Sequence, residues 1–279
     1  MPFTTDSSAA TETEGSPSLS RLFNLKGRTA FVSGGAGLLG NHITRGLAEC
    51  GADIVIASRD AAKNATLASE LQSLYGVRAI GIGVDIRDTA SVKDGVARAI
   101  DAFGDMHILV NCSGFGRKNT WESISEQDWI DDVDVSLTGP FRLTKAAFES
   151  LKRTRGVILN VASMYGVVAP DYRLYDGDRF ANPPSYGASK AGVLQFTRYL
   201  SSFLAPHGIR VNAISPGPFP YKSTQDENPE FIKRLAAKNP LGRIGEPHEV
   251  KGAAVFLCSD AASYVTGHNL AIDGGWTTW

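Results

Sequence analysis

Seven short apolar runs recur along the chain, alternating with stretches of helical periodicity. They are Arg28-Thr29-Ala30-Phe31-Val32, Asp53 to Ser58, Ala79 to Asp85, Ile108 to Asn111, Gly156 to Val161, Ile209 to Ile214 and Asn269 to Asp273. Runs such as Ile54-Val55-Ile56 and Val157-Ile158-Leu159 are apolar at successive positions, the pattern of strands buried on both faces. Helix-like segments at 41–50, 60–75, 89–103, 126–153 and 186–205 lie between them. Strands alternating with helices fold as a parallel sheet covered on both sides. The chain is therefore expected to be an α/β protein with a doubly wound parallel sheet. Ligands bind such sheets beyond the carboxyl ends of the strands, where Gly34, Asn111, Ser163 and Pro216 fall. No internal repeat or second domain boundary is visible, and 279 residues suffice for one large domain. We expect that domain over 21–279, after a disordered tail over 1–20 rich in Ser, Thr, Ala and Glu.

Composition removes several classes of function. A net charge of −1 without a Lys/Arg block gives no reason to expect nucleic acid or an anionic membrane surface. No apolar run approaches the roughly 20 residues of a membrane span. The N-terminal segment lacks the basic start and apolar stretch of a signal peptide. Cys50, Cys112 and Cys258 are odd in number with no close pair, which fits a reducing, cytoplasmic setting. His42, His107, His207, His248 and His268 are scattered without helical ligand spacing, so no metal is expected.

The first strand runs into Ser33-Gly34-Gly35-Ala36-Gly37-Leu38-Leu39-Gly40 and then a helix. Strand, glycine-rich turn and helix together point to dinucleotide binding, because backbone N–H groups and a helix N-terminus can then approach a pyrophosphate. An ordinary tight turn is the plainer alternative. Farther on, Ser185-Tyr186-Gly187-Ala188-Ser189-Lys190 spaces a phenol and an ammonium four residues apart, on one helical face. A free phenol has a pKa of about 10, and a nearby cation favours its ionised form. Tyr186 is thus a candidate proton donor or base, and Lys190 the group that tunes it.

From about Leu25 to Trp276 the chain resembles the short-chain dehydrogenase/reductases, in their compact, Rossmann-type branch. The resemblance rests on landmarks in order: the turn at 33–40, Asp85, Asn111-Cys112-Ser113-Gly114 and Asn160-Val161-Ala162-Ser163. Tyr186 to Lys190, Asn212 to Gly217, and Val265-Thr266-Gly267 through Asp273-Gly274-Gly275 complete them. It implies that Tyr186 is the general acid in reduction and, as phenolate, the base in oxidation. Lys190 would lower the Tyr186 pKa and bind the nicotinamide ribose, and Ser163 would hydrogen-bond the reacting oxygen. Gly34 and Gly40 would line the pyrophosphate, Asp85 would meet the adenine, and Asn111 would support the central strand. Pro216 and Gly217 would shape the nicotinamide wall. Ser33, Gly37, Leu39, Ile86, Ser113 and Gly114 complete the expected cofactor contacts.

Two departures stand out. The compact branch spaces its glycines as Gly-three-Gly-one-Gly, whereas Gly34, Gly37 and Gly40 are each three apart, as in the extended branch. The early end after Asp273-Gly274-Gly275 keeps the compact reading. The family also commonly has Asn where this chain has Ser136, at a helix bend thought to feed protons to the Lys. Ser136 is therefore a catalytic-site position whose relay is in question.

After the second strand comes Ala57-Ser58-Arg59, with no carboxylate until Asp60. A small hydroxyl followed by a guanidinium suits a 2′-phosphate, so NADP(H) is expected over NAD(H). Alternatively Arg59 caps a solvated loop or stacks on adenine. The stretch Val167 to Pro184 is longer than the family's usual spacing and carries Asp171, Tyr172, Arg173, Tyr175, Asp176, Asp178 and Arg179. Its polarity suggests a polyol, sugar or sugar-acid substrate, as in gluconate-5-dehydrogenase-like members; a solvated loop or subunit contact is the alternative. Two other functions remain open. One is reduction of 3-oxoacyl thioesters, for which Arg117-Lys118 and Arg153 could form a carrier-protein patch. The other is a cofactor-binding regulator or scaffold with little turnover, suggested by Ser136. Family helices matching 126–153 and 186–205 pack between subunits, and Trp276 and Trp279 end the chain. A homotetramer is expected; folding of these Trp residues over their own pocket is the alternative.

Overall fold

In the computed structural model, which describes residues 16–114, 117–175 and 181–279, order within the described chain begins with one turn of helix, α1 (Leu19–Leu22). Ser18 caps it, its hydroxyl accepting from the Arg21 N–H at 3.3 Å. The end of the segment expected as a tail is thus helical, and its first fifteen residues lie outside the described ones.

Each apolar run becomes a strand. β1 (Thr29–Ser33) leads into α2 (Leu38–Glu49), β2 (Asp53–Ser58), α3 (Ala61–Tyr75), β3 (Ala79–Gly83), α4 (Thr89–Phe103) and β4 (Ile108–Asn111). Then follow α5 (Glu126–Val133), α6 (Gly139–Thr154), β5 (Val157–Val161), α7 (Pro184–Leu204) and β6 (Arg210–Pro216). α8 (Lys222–Glu227), α9 (Pro229–Lys238), α10 (Val250–Cys258) and β7 (Asn269–Ile272) close the chain. The seven strands form one parallel sheet in the order β3-β2-β1-β4-β5-β6-β7. The order reverses between β1 and β4, and that reversal opens a crevice at their carboxyl ends.

Side-chain alternation splits the core into two layers. Ala30, Val32, Ile54, Ile56, Ile108, Val110 and Leu159 face Ile43 and Leu47 of α2, Leu67 and Leu71 of α3, and Val250 and Leu257 of α10. Phe31, Val55, Leu109 and Ile158 face Val92 and Val96 of α4, Leu143 and Leu151 of α6, and Leu200 of α7. Fully buried Leu or Ile residues of this kind contribute about 1.5–3 kcal/mol each relative to exposure.

The helix-like segment over 126–153, expected to bend at Ser136, is interrupted there. Ser125 and Asp128 form a capping box at the start of α5, and residues Asp134–Thr138 widen into a π-helical turn before α6. Pro140 gives the reason. It has no N–H to offer the Ser136 carbonyl four residues back, and its ring clashes there in a regular α-helix. Widening the turn by one residue relieves both, a π-bulge of the kind often found at functional sites.

Candidate active site

The glycine turn after β1 is built by close backbone approach. Gly34 has φ +68°, and a Cβ there would sit 2.8 Å from the Cys112 carbonyl oxygen that follows β4. A Cβ on Gly40 would lie 2.1 Å from the Gly34 carbonyl oxygen, so α2 can start against the turn only without one. The Gly37 N–H donates to that same carbonyl at 2.9 Å. Gly37 then caps α2 without a side-chain hydrogen bond. The first N–H groups of a helix have no intrahelical partner, so this end offers donors and a positive dipole to an anion. The shifted glycine spacing therefore leaves the cradle intact, with Leu38 and Leu39 half-buried in the first turn. Ser33 lies in the buried floor, its hydroxyl donating to the Val110 carbonyl at 3.3 Å and tying β1 to β4. A pyrophosphate fits this cradle.

The adenosine end lies at β2 and β3. Ser58 donates to Asn64 Oδ1 at 2.8 Å, and Asp60 accepts from the Lys63 N–H at 2.9 Å as the cap of α3. Arg59 is exposed between them. Asp85 is held by Arg87, which donates Nη2 to Oδ2 at 2.7 Å and Nε to Oδ1 at 3.1 Å. The Arg87 backbone N–H adds a bond at 3.0 Å. These hydrogen bonds pull the Asp85 carboxyl down to about 2, with Arg59 adding a smaller pull through space. Ile86 beside it is buried.

The reacting end gathers Ser163, Tyr186 and Lys190 past the carboxyl ends of β4 and β5. Ser163 accepts from the Tyr165 N–H at 3.2 Å and is near enough to the Tyr186 hydroxyl to act on its ionisation. Lys190, 4% exposed, donates Nζ to the Val161 carbonyl at 2.8 Å and lies 5.7 Å from the centre of the Tyr186 ring. Burial brings the Lys190 ammonium down to about 8. Burial also raises the Tyr186 hydroxyl, and Ser163 only partly opposes this. Enclosure thus sets the direction of the Tyr186 shift, while the Lys190 ammonium gives its hydrogen bond to the backbone. Ser136, 1% exposed, sits in the π-helical turn, which packs against α7. Gly114 follows β4 beside Lys190, and Ser113 lies against the Gly34 backbone. Pro216 ends β6, and the Gly217 N–H donates to the Ile272 carbonyl at 2.9 Å.

A buried polar ladder stiffens this end. Asn111 donates Nδ2 to Asn160 Oδ1 at 2.8 Å and to Thr144 Oγ1 at 3.2 Å; Asn160 donates to Thr197 Oγ1 at 2.8 Å. Four elements, β4, β5, α6 and α7, are thereby tied in register.

In the loop between Ser163 and Tyr186 the described polar groups find partners of their own. Asp176, Asp178 and Arg179 lie outside the described residues. Asp171 is bound to Arg173 at 2.8 Å and to Lys238 at 3.3 Å, which holds its carboxyl far below the usual range. Tyr172 donates to the Asn182 carbonyl. These polar groups are spent within the loop and on α9. Near Tyr186 the wall is aromatic instead. The Tyr165 and Tyr175 hydroxyls lie 2.6 Å apart, Tyr175 packs on Phe231, and Trp276 meets Tyr165 edge-on at 6.5 Å. Trp276, 2% exposed, therefore folds back beside its own site, whereas Trp279 is 76% exposed. The basic patch suggested for a carrier protein is not formed. Arg117 pairs with Asp128, Asp131 and Asp132, and Arg153 with Asp105.

The sequence reading names Tyr175 and a fold-back of Trp276 but does not reach Tyr165 or Asp132. Only Asp132 left a usable signal: it precedes Ser136 by four, so the two share a helical face.

A family model described as enoyl-(acyl carrier protein) reductase matches residues 35–277. Galactitol 2-dehydrogenase (L-tagatose-forming) of Cereibacter sphaeroides is 35% identical, over 92% of this chain and 98% of its own. A 3-oxoacyl-(acyl-carrier-protein) reductase of Vibrio cholerae is 32% identical, over 90% and 98%. The crystal structure of a gluconate 5-dehydrogenase from Burkholderia cenocepacia, in complex with NADP and tartrate, superposes with a TM-score of 0.85 at 30% identity. That match covers 93% of this chain and 99% of that one.

Proposed function

The chain belongs to the short-chain dehydrogenase/reductase family and is an NAD(P)-dependent oxidoreductase of alcohol and ketone groups, and we propose that its substrate is a polyol, sugar or sugar acid. One observation carries the chemistry: Ser163, Tyr186 and buried Lys190 converge past the carboxyl ends of β4 and β5, at the mouth of the crevice that begins with the glycine turn. In this reading Gly34, Gly37, Leu39 and Gly40 hold the pyrophosphate, and Ser33 supports the turn. Asp85 and Ile86 flank the adenine. Asn111, Ser113, Gly114 and Lys190 serve the nicotinamide ribose, and Pro216 and Gly217 the ring. The bound nicotinamide supplies or accepts the hydride.

The chain's own residues handle the proton. In reduction the Tyr186 O–H gives its proton to the carbonyl oxygen while Ser163 donates a hydrogen bond to the same atom. In oxidation the Tyr186 phenolate takes the proton from the alcohol. The Lys190 charge opposes the negative charge that grows on either oxygen. Its pKa of about 8 makes that charge depend on pH near the working range.

NADP(H) is favoured over NAD(H). The nearest carboxyl, Asp60, is occupied in capping α3, leaving exposed Arg59 at the place where a 2′-phosphate would sit. The pairing of Arg117 and Arg153 with acidic neighbours speaks against the thioester reading. Intact Ser163, Tyr186 and Lys190 speak against a scaffold. A homotetramer is supported by exposed Phe141 on α6 and by Tyr199 and Phe203 on α7. Free Cys50, Cys112 and Cys258 support a cytoplasmic location for a single domain over 21–279; no described helix is long and apolar enough to cross a membrane.

The test is hydride transfer across a panel of polyols, sugar acids and 3-oxoacyl thioesters, with both cofactors titrated directly. Turnover of a polyol or sugar acid with tighter NADPH supports the reading. Turnover confined to thioesters, or tighter NADH, overturns the substrate or the cofactor assignment respectively.

A further inference from the structure

A carboxyl group sits in the dry interior beside the proton donor, unused by the chemistry above. Asp132, 0% exposed on α5, accepts a hydrogen bond from the Ser185 hydroxyl at 2.7 Å. Ser185 is also 0% exposed and immediately precedes Tyr186. On its other oxygen Asp132 meets Arg117 at 3.4 Å, and Arg117 reaches Asp131 at 2.9 Å and Asp128 at 3.0 Å. The start of α7 has no side-chain cap from Pro183. Asp132 therefore sits against the first turn of α7, at the helix end whose dipole favours an acidic group.

The contact joins two segments that carry the reaction. Arg117 follows β4, three residues after the expected cofactor contact Gly114, and Ser185 opens the catalytic helix. Burying an acidic group is costly unless it is hydrogen-bonded and paired, and here both requirements are met. A hydrophobic residue would fill this place with less risk. The retained carboxyl instead fixes one rotation of the first turn of α7, and with it the direction of the Tyr186 ring.

We propose that Asp132, through Ser185, is a positioning residue for Tyr186, with Arg117 coupling the clamp to the segment after β4. The proposal rests on the assignment of Tyr186 as proton donor and not on the identity of the substrate. It does not make Asp132 a catalytic residue, since no atom of it touches the reacting groups. The Tyr186 hydroxyl is faced by Ser163 from the turn after β5, Cys112 from just past β4, Tyr175 from the loop and Lys190 from its own helix. A rotation of the first turn changes its enclosure among all four.

The experiment compares Ser185→Ala, Ser185→Thr and Asp132→Asn in the full-length protein. Two readouts are taken at a temperature where all are folded: kcat against KM, and the titration of Tyr186 in carbon-labelled tyrosine NMR, its signal assigned by loss in Tyr186→Phe. Ser185→Ala should lower kcat about tenfold to a hundredfold, the cost of misplacing a reacting group, with cofactor affinity unchanged. Its Tyr186 titration should move down toward the ordinary phenol value as water reaches the hydroxyl. Ser185→Thr, which keeps the hydroxyl, should restore both, and Asp132→Asn, which keeps an acceptor, should fall between. Ser185→Ala with wild-type kcat and wild-type titration, whatever its thermal stability, would reduce the clamp to packing and overturn the proposal. If the wild type turned over none of the sugar-class substrates, the substrate reading would fail while the Tyr186 titration still decided this one.

Discussion

The two halves of the site are made of different material. The cofactor half, from β1 to β3, is made of backbone: a Gly34 at φ +68°, a Gly40 with no room for a Cβ, and a helix start with no capping side chain. The reacting half, from β4 to β7, is made of buried side chains that hold one another: Asn111 with Asn160, Asn160 with Thr197, and Asp132 with Ser185. A backbone cradle is broken by adding a single carbon and is indifferent to most side-chain chemistry. A side-chain cradle is broken by removing one polar atom. The same crevice therefore has two modes of failure, which mutation can separate.

The largest expected effect is on the reacting side. Tyr186→Phe should lower turnover by about 10²–10⁴-fold, the usual contribution of a general acid. Steady-state rates measure it, and a variant keeping more than about a tenth of wild-type rate would remove Tyr186 from its role. Next is the backbone side. Gly40→Ala places a carbon 2.1 Å from the Gly34 carbonyl, an overpacking that should cost about 3 kcal/mol and weaken cofactor binding about a hundredfold. Calorimetric titration reads it, and wild-type affinity would mean the turn yields freely.

The polar ladder gives a smaller effect and sharpens the contrast. Asn160→Ala leaves the Asn111 amide and Thr197 without their shared partner in a fully buried place. Denaturant unfolding should show about 1–3 kcal/mol of lost stability. An unchanged midpoint would mean the side-chain half is not held by this network.

The smallest effect is a pH dependence at the adenosine end. The Asp85 carboxyl has its folded pKa lowered to about 2 by Arg87, below its unfolded value of about 3.9. Its stabilisation is therefore full above the unfolded value and is lost as pH falls through the folded one. The pair is partly exposed, so its contribution stays below about 1 kcal/mol. The stability gap between wild type and Arg87→Ala should be open at pH 5 and narrow toward pH 2. A gap that widens in acid would assign the pair the wrong sign.

This division also explains what the sequence made legible. The sheet, its parallel order and the glycine turn follow from strand periodicity and from residues whose conformational demands are local, so they could be read in a line. The break in the helix over 126–153 is equally local, because Pro140 marks it four residues after Ser136. The reacting half depended on partners distant in sequence. Nothing around Asp132 names Ser185 fifty-three residues later, and nothing near Tyr165 names Trp276. Within the loop, Asp171 and Arg173 answer each other, a pairing that composition alone does not reveal.

The most direct test sets the two failures side by side, with cofactor affinity and turnover measured on Tyr186→Phe and Gly40→Ala in the same preparation. Tyr186→Phe should keep cofactor affinity and lose turnover. Gly40→Ala should lose affinity and, at saturating cofactor, recover most of its turnover. If both variants lost both properties together, the site would be one indivisible unit, and the distinction between a backbone half that binds and a side-chain half that reacts would be wrong.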